Sequence, residues 1–274
     1  MSQAATNGVY QVTVEGLTFF RIQAFDDYPS LTHAIFTRRG GVSQEPFAAL
    51  NLGLSVGDDA AAVAENFRRA CRLLNITPEQ TAACHLIHSA EVITVTRANR
   101  QRVMGQADGL ITAEPDIYLA MRFGDCTPLI FFDPRRGAVG LTHAGWRGTM
   151  KNAAGATVKM MVQHLGCRPE DIVAVIGPAI GPCCYEVGPD VVAAANQSFT
   201  EVDGLFSRRN GRSGRAFFDM WAANRRQLAA SGVGQIIQSE LCTACRTDLF
   251  YSHRAEKGRT GRFGVMIGLR GEPA

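Results

Sequence analysis

Residues 108–149 read DGLITAEPDIYLAMRFGDCTPLIFFDPRRGAVGLTHAGWRGT. Three apolar runs stand close together here: Ile117 to Phe123, Leu129 to Phe132, and Ala138 to Leu141. Asp125-Cys126-Thr127-Pro128 separates the first two, and Asp133-Pro134-Arg135-Arg136-Gly137 the second two. Short apolar runs bounded by turn residues read as consecutive strands of a sheet buried on both faces. The second break resembles a hairpin turn. Pro128 discourages simple continuation of a ladder past Cys126. Tight turns between neighbouring strands argue against a purely doubly wound parallel sheet.

The flanks continue the mixture. Val12 to Phe20, His33 to Thr37, Glu91 to Thr96, Ile172 to Ile176, Gln235 to Gln238 and Phe263 to Ile267 read as strands. Asp58 to Leu74 reads as a helix capped by Asp58 or Asp59, with apolar residues at Val63, Phe67, Ala70, Cys71 and Leu74. A second helix is expected from about Thr149 to Leu165, stopped by Gly166. Val191 to Phe199 and Asp219 to Ala230 also look helical. No internal repeat is visible. Ser207 to Gly214 reads as an exposed basic loop rather than a domain boundary. The expectation is an α/β fold of mixed β-sheets flanked by helices, one domain over residues 1–274.

The composition excludes several classes. The 274 residues are 46% hydrophobic and 19% charged, enough apolar surface for a real core. Eight cysteines in this length fall short of a disulfide scaffold. With 28 Lys+Arg against 25 Asp+Glu, the net charge of +3 lacks a strong basic block, so nucleic acid is not an expected partner. No basic n-region, apolar h-region or membrane-length apolar run appears. A cytoplasmic protein without a membrane partner is therefore expected, its cysteines mostly reduced. Nothing in the sequence sets an oligomeric state.

Three places put reactive side chains near strand ends: His85-Leu86-Ile87-His88-Ser89, Gly124-Asp125-Cys126-Thr127-Pro128, and Thr142-His143-Ala144-Gly145-Trp146-Arg147-Gly148. If the strands of Cys126 and His143 are neighbours, these two residues can meet His88. Two imidazoles and one thiolate with an open fourth position make a plausible catalytic zinc site. The same residues could instead be a cysteine nucleophile with a histidine base. Spacing alone leaves both open. Arg147 and the amides of the following helix start offer contacts to an anion.

The string from Asp108 to Thr149 closely resembles the YfiH family, also called the laccase-domain or multi-copper polyphenol oxidoreductase family. The family pattern D-G-L-x-T, A-D-C-x-P, D-P and H-A-G-W-R-G is followed here, with Gly124-Asp125-Cys126 in place of A-D-C. Arg38 to Ser43, Asn51-Leu52-Gly53, Val56 to Asp59, Glu65-Asn66 and Ile176 to Gly188 also match, so the resemblance runs from about residue 33 to 268. Leu86-Ile87-His88-Ser89 departs from the usual Q-V-H-G around the first histidine.

The resemblance implies a YfiH-like (cysteine-hydrolase-like) domain with a metal at His88, Cys126 and His143; His85 is a weaker alternative ligand. It implies a zinc-dependent purine nucleoside phosphorylase acting on adenosine, inosine and methylthioadenosine with phosphate, and an adenosine deaminase. Copper is the alternative metal, from the polyphenol oxidase label of some members. Cysteine hydrolysis of peptidoglycan precursors is a further reading, and a zinc-stabilised scaffold the non-enzymatic one. Cys126, Asp125 and His143 are then the expected catalytic residues, with Asp125 shuttling a proton. Arg39, Asn51 and Arg147 are the expected substrate-binding residues. Phe250 to Arg254 with Gly258 to Arg262 resembles the family's F-x-S-x-R-R…T-G-R segment and is read either as a pocket lining or as a packing corner. Cys242-x-x-Cys245 is half of a metal or redox motif, read as ordinary thiols that Cys183 and Cys184 could in principle complete.

Overall fold

The structure, a computed structural model, describes residues 7–208 and 215–271. Most of the expected basic loop, residues 209–214, lies outside the described residues. The strands are β1 (Val9–Val14), β2 (Leu17–Ile22), β3 (Leu31–Phe36), β4 (Thr81–His85), β5 (Val92–Thr94), β6 (Val103–Gln106), β7 (Gly109–Thr112) and β8 (Tyr118–Phe123). They continue with β9 (Thr127–Asp133), β10 (Ala138–Ala144), β11 (Val173–Ile176), β12 (Glu186–Val187), β13 (Phe206–Arg208), β14 (Ala216–Phe218), β15 (Gln235–Gln238) and β16 (Phe263–Leu269). The helices are α1 (Ala60–Leu73), α2 (Trp146–Met150), α3 (Ala153–Leu165), α4 (Pro189–Ser198) and α5 (Met220–Ala230). None of them is long and apolar enough to cross a membrane.

Seven strands form one mixed sheet in the order β1-β2-β3-β16-β8-β4-β6, and six form another in the order β15-β11-β9-β10-β7-β5. Side chains alternate across a strand, and this sorts the core into layers. Ile130 and Phe132 of β9 join Phe20, Ile35 and Val265 of the larger sheet in the central core. Leu129 and Phe131 face the other way, toward Val158 and Met161 of α3 and Leu228 of α5. Beyond the larger sheet, Phe19, Phe36 and Met266 pack with Phe67, Ala70 and Cys71 of α1. The layers therefore run α1, larger sheet, smaller sheet, then α3 with α5. Each buried aliphatic or aromatic side chain contributes about 1.5–3 kcal/mol of transfer free energy, so doubly buried β9 is a principal stabilising strand.

The apolar runs of residues 117–141 do not share one sheet. β9 and β10 form the expected antiparallel hairpin, whereas β8 belongs to the larger sheet. Gly124-Asp125-Cys126 carries the chain from one sheet to the other, with Asp125 at φ +91. Strands buried on both faces look alike in sequence whichever sheet they join. Pro128 does not end the ladder; it sits second in β9, opposite His143, close to the strand end that tolerates a missing donor. Val12 to Phe20 divides into β1 and β2 because Glu15 (φ +50) and Gly16 (φ +80) make a hairpin turn. The helix expected from Thr149 to Leu165 breaks at Asn152, which adopts φ +59 and caps α3 by accepting from Gly155 N–H. Asp59 caps α1, accepting from Ala61 N–H at 2.9 Å.

One buried histidine belongs to the fold alone. The Ile22 N–H donates to His33 Nε2 at 2.9 Å, which requires the neutral ring. Burial, reinforced by Arg21, holds its pKa down at about 3. Between the ordinary value near 6.5 and about 3, the unfolded chain binds a proton that the folded one does not. Stability contributed by this site is therefore present above that window and lost as pH falls through it. Urea midpoints should drop from pH about 7 to about 4, less steeply in His33→Gln; identical slopes in the two proteins would contradict this assignment.

Candidate metal centre

Three segments converge where the chain crosses between the sheets. His88 follows β4, Cys126 immediately precedes β9, and His143 is the penultimate residue of β10. The β9–β10 register sets His143 opposite Pro128 and Ala144 opposite Thr127, which brings the start of β9 beside the end of β10. The donor atoms of His88, Cys126 and His143 all lie within 4.8 Å of one another. The two imidazoles meet edge to face, with centroids 5.1 Å apart. His143 is buried and His88 exposed, so the site opens on the His88 side. His85 ends β4 as an exposed residue outside this trio.

Asp108 organises the trio. Its buried carboxylate accepts from the backbone N–H groups of Ile87 (3.2 Å), His88 (3.1 Å) and Ser89 (2.6 Å), and from Ser89 Oγ (2.8 Å). The same carboxylate lies 3.0 Å from His143 Nδ1. With Nδ1 directed at Asp108, Nε2 is the nitrogen left for a metal, the usual arrangement of a ligand histidine backed by a carboxylate. Asp108 also holds His88 at φ +56, a conformation a non-glycine residue keeps only when its surroundings enforce it.

The electrostatics favour a charged chain of groups. Burial alone would raise the Asp108 pKa, but hydrogen bonds from His143 and Ser89 bring it to about 2. Burial would also raise the Cys126 thiol, yet the His143 charge and hydrogen bonds from both histidines lower it to about 6. Burial pushes His143 down, and the Cys126 thiolate and Asp108 more than compensate, raising it to about 9. Thiolate is the form that binds metal or attacks carbon. A Cβ on Gly145 would come within 2.9 Å of Cys126 Sγ and 3.1 Å of His88 Cδ2, so only glycine leaves the donors room. Two imidazoles, one thiolate, a carboxylate behind one ligand and an open side fit a three-ligand zinc ion.

The other expected site residues are placed differently. Asp125 accepts from Thr243 Oγ1 (2.7 Å) and from Arg254 N–H (2.6 Å), so both carboxylate oxygens are anchored. Asn51 is fully buried; its Oδ1 accepts from Gly53 and Arg262 N–H groups, and its Nδ2 donates to Asp58. It therefore positions the Arg262 backbone. Arg39 engages Asp248 through Nε and Nη2. Arg147 is exposed and stacks on Trp146 at 4.2 Å. The helix that holds it, α2, is only five residues long, so the expected macrodipole is that of little more than one turn.

Asp108 carries no reading of its own in the sequence, and Arg262 enters only as the end of the Gly258 to Arg262 segment. Arg262 runs along Gly53 and Gly124, each of which would place a Cβ 2.9 Å from its side chain, and its Nη1 donates to Thr260 O at 3.1 Å and Gly261 O at 2.8 Å. Their only sequence signal is membership of the D-G-L-x-T and T-G-R blocks, which carries no geometry. The Phe250–Arg254 segment divides: Phe250, Tyr251 and Ser252 are core, whereas Arg254 is exposed and lies over the Tyr185 ring at 5.2 Å. Removing the carboxylate in Asp108→Ala should weaken zinc binding by about 10–100-fold, measured by competition against a chromophoric chelator. Unchanged affinity would refute its supporting role.

The geometry agrees with three comparisons. The family model described as "Multi-copper polyphenol oxidoreductase laccase" matches residues 32–270. The chain is 41% identical over 245 residues to the purine nucleoside phosphorylase YlmD of Geobacillus stearothermophilus, covering 86% of this chain and 89% of that one. It is 39% identical over 240 residues to a purine nucleoside phosphorylase of Deinococcus radiodurans, covering 88% and 90%. The crystal structure of the Geobacillus YlmD superposes with a TM-score of 0.88 at 38% identity, covering 95% and 98%. That of the hypothetical protein YfiH of Bacillus licheniformis gives 0.86 at 34%, covering 94% and 97%. The mixed two-sheet fold and the motif blocks run through nearly the whole match, and the chain belongs to the multi-copper polyphenol oxidoreductase laccase family, the family of YfiH and YlmD.

Proposed function

We propose that this chain is a zinc-dependent purine nucleoside phosphorylase, converting adenosine, inosine or methylthioadenosine and phosphate into free base and ribose 1-phosphate, with adenosine deaminase activity. The observation that carries the reading is the Asp108-backed trio of His88, Cys126 and His143, with its donors within 4.8 Å and one side open. The names of the similar proteins supply the substrate class. Zinc held by these residues would supply Lewis-acid polarisation or an acidified water.

The chain's own residues account for the rest. In phosphorolysis a phosphate oxygen attacks ribose C1′ as the bond to the base breaks. The doubly charged nucleophile needs cations beside the trio. Arg262, whose side chain passes Gly124 next to Asp125, and exposed Arg147, stacked on Trp146, are the groups we assign to it. Arg39, engaged with Asp248, is left to the loop that carries it. Trp146 and Tyr185, both partly exposed, offer ring faces for a purine. Asp125 handles a proton from a fixed position, since each oxygen already accepts one bond.

A second reading has its own observation. Asp108, His143 and Cys126 form a carboxylate–imidazole–thiolate series, the arrangement of a cysteine hydrolase. Copper oxidase chemistry is less well supported, because only two of the six histidines stand in this site and His33 is locked neutral in the core.

Inosine turnover followed by mass, with and without phosphate, separates these readings. Ribose 1-phosphate should form only with phosphate. Cys126→Ala and His143→Ala should lower zinc content by mass spectrometry and turnover by roughly 10²–10⁴-fold. Full zinc and undiminished turnover in both would defeat the proposal, and peptide cleavage surviving chelation would favour the hydrolase. Arg262→Ala should raise KM for phosphate by roughly 10–100-fold, the loss of a charge-assisted hydrogen bond, with Arg39→Ala unchanged.

A further inference from the structure

The thiols expected to be ordinary are gathered in one place. Cys183 and Cys184 lie in the turn after β11, and Cys242 and Cys245 in the turn after β15. β11 and β15 are parallel neighbours in register from Val173 opposite Gln235 to Ile176 opposite Gln238, so both chains leave the sheet on the same side. Beyond the sheet, Ala179 N–H donates to Leu241 O and Thr243 N–H to Ala179 O, a bridge that locks the two turns together. The four Sγ atoms all lie within 4.8 Å of one another. Cys245 Sγ is 3.5 Å from Cys183 Sγ and 3.4 Å from Cys184 Sγ.

These distances suit a shared ion. A tetrahedral zinc with Zn–S bonds of about 2.3 Å has sulfurs roughly 3.8 Å apart, inside the observed range. A disulfide would instead single out one pair at about 2.05 Å, whereas Cys245 stands equally close to two partners. Gly181 N–H donates to Cys242 Sγ at 3.2 Å, which fixes the position of that sulfur.

We propose that Cys183, Cys184, Cys242 and Cys245 form a second zinc site, closed by four protein ligands and structural in character. Four ligands leave no open position, in contrast to the trio. The site braces the catalytic crossover. Thr243, inside the Cys242–Cys245 turn, donates to Asp125 Oδ1 at 2.7 Å, and Ile180 N–H donates to Asp125 O at 2.9 Å. Zinc binding therefore fixes both turns that hold Asp125, and through it Cys126.

Zinc counted by plasma mass spectrometry tests the assignment. Cys242→Ser/Cys245→Ser should lose about one equivalent per chain, and His143→Ala should retain that equivalent. A double variant with the wild-type zinc content overturns the proposal. The wild-type protein gives an answer independent of variant folding. Cys183 and Cys245 are exposed, so iodoacetamide in mildly alkaline buffer can reach both when no metal holds them. Protection of all four cysteines that is relieved by a strong chelator supports the site. Rapid modification of the zinc-replete protein, or non-reduced peptides cross-linked between the two turns, overturns it.

Discussion

One buried carboxylate governs the architecture of the site. Asp108 accepts three backbone N–H groups and a hydroxyl from residues 87–89, and reaches His143 with the same group. Its own backbone ties in as well: His143 N–H donates to Asp108 O, and Asp108 N–H to Glu91 O. The carboxylate thus replaces the solvent it lost with hydrogen bonds from two otherwise separate segments. A buried charge left without such partners would cost several kcal/mol. Here the requirement to satisfy it fixes the His88 loop, the His143 ring and the end of β10 relative to one another.

The second constraint is the crossing from β8 to β9. A strand passing directly into another sheet has to turn without its regular ladder partners. Asp125 makes that turn at φ +91, with Thr243, Arg254 and Ile180 holding its polar groups. The thiol of Cys126 is consequently presented at the seam between the sheets rather than within either core. Gly53, Gly124 and Gly145 remove side chains where Arg262 and the donor atoms must pass. Space, charge and backbone strain are concentrated in the same few residues, as expected where function rather than stability selects the geometry.

Local pattern was informative where one physical rule dominates. The caps of α1 and of the end of α3, the β9–β10 turn and the strands near Ile172, Gln235 and Phe263 were readable because turn chemistry and periodicity act over a few residues. The break at Asn152 was not, since the side chain that caps α3 also sits in an uninterrupted helical pattern. The sheet to which β8 belongs was unreadable because β8, β9 and β10 are all almost wholly buried apolar strands. Asn51 illustrates the limit for sites: a polar residue in a motif block looks like a ligand contact, whereas its side chain proved to be engaged with Gly53, Asp58 and Arg262.

By itself the sequence determined the class of fold, the three reactive segments and, through its resemblance to a family, the identity of the His-Cys-His set. Those depend on residue type, short spacing and motif. Tertiary structure alone decided how closely His88, Cys126 and His143 approach, that Asp108 stands behind them, that the Arg262 side chain passes Gly53 and Gly124, and that four cysteines from two distant turns meet. Each of these rests on contacts across 17 to 129 residues or more of chain, set by strand register and by the burial of charge, and no local pattern encodes them.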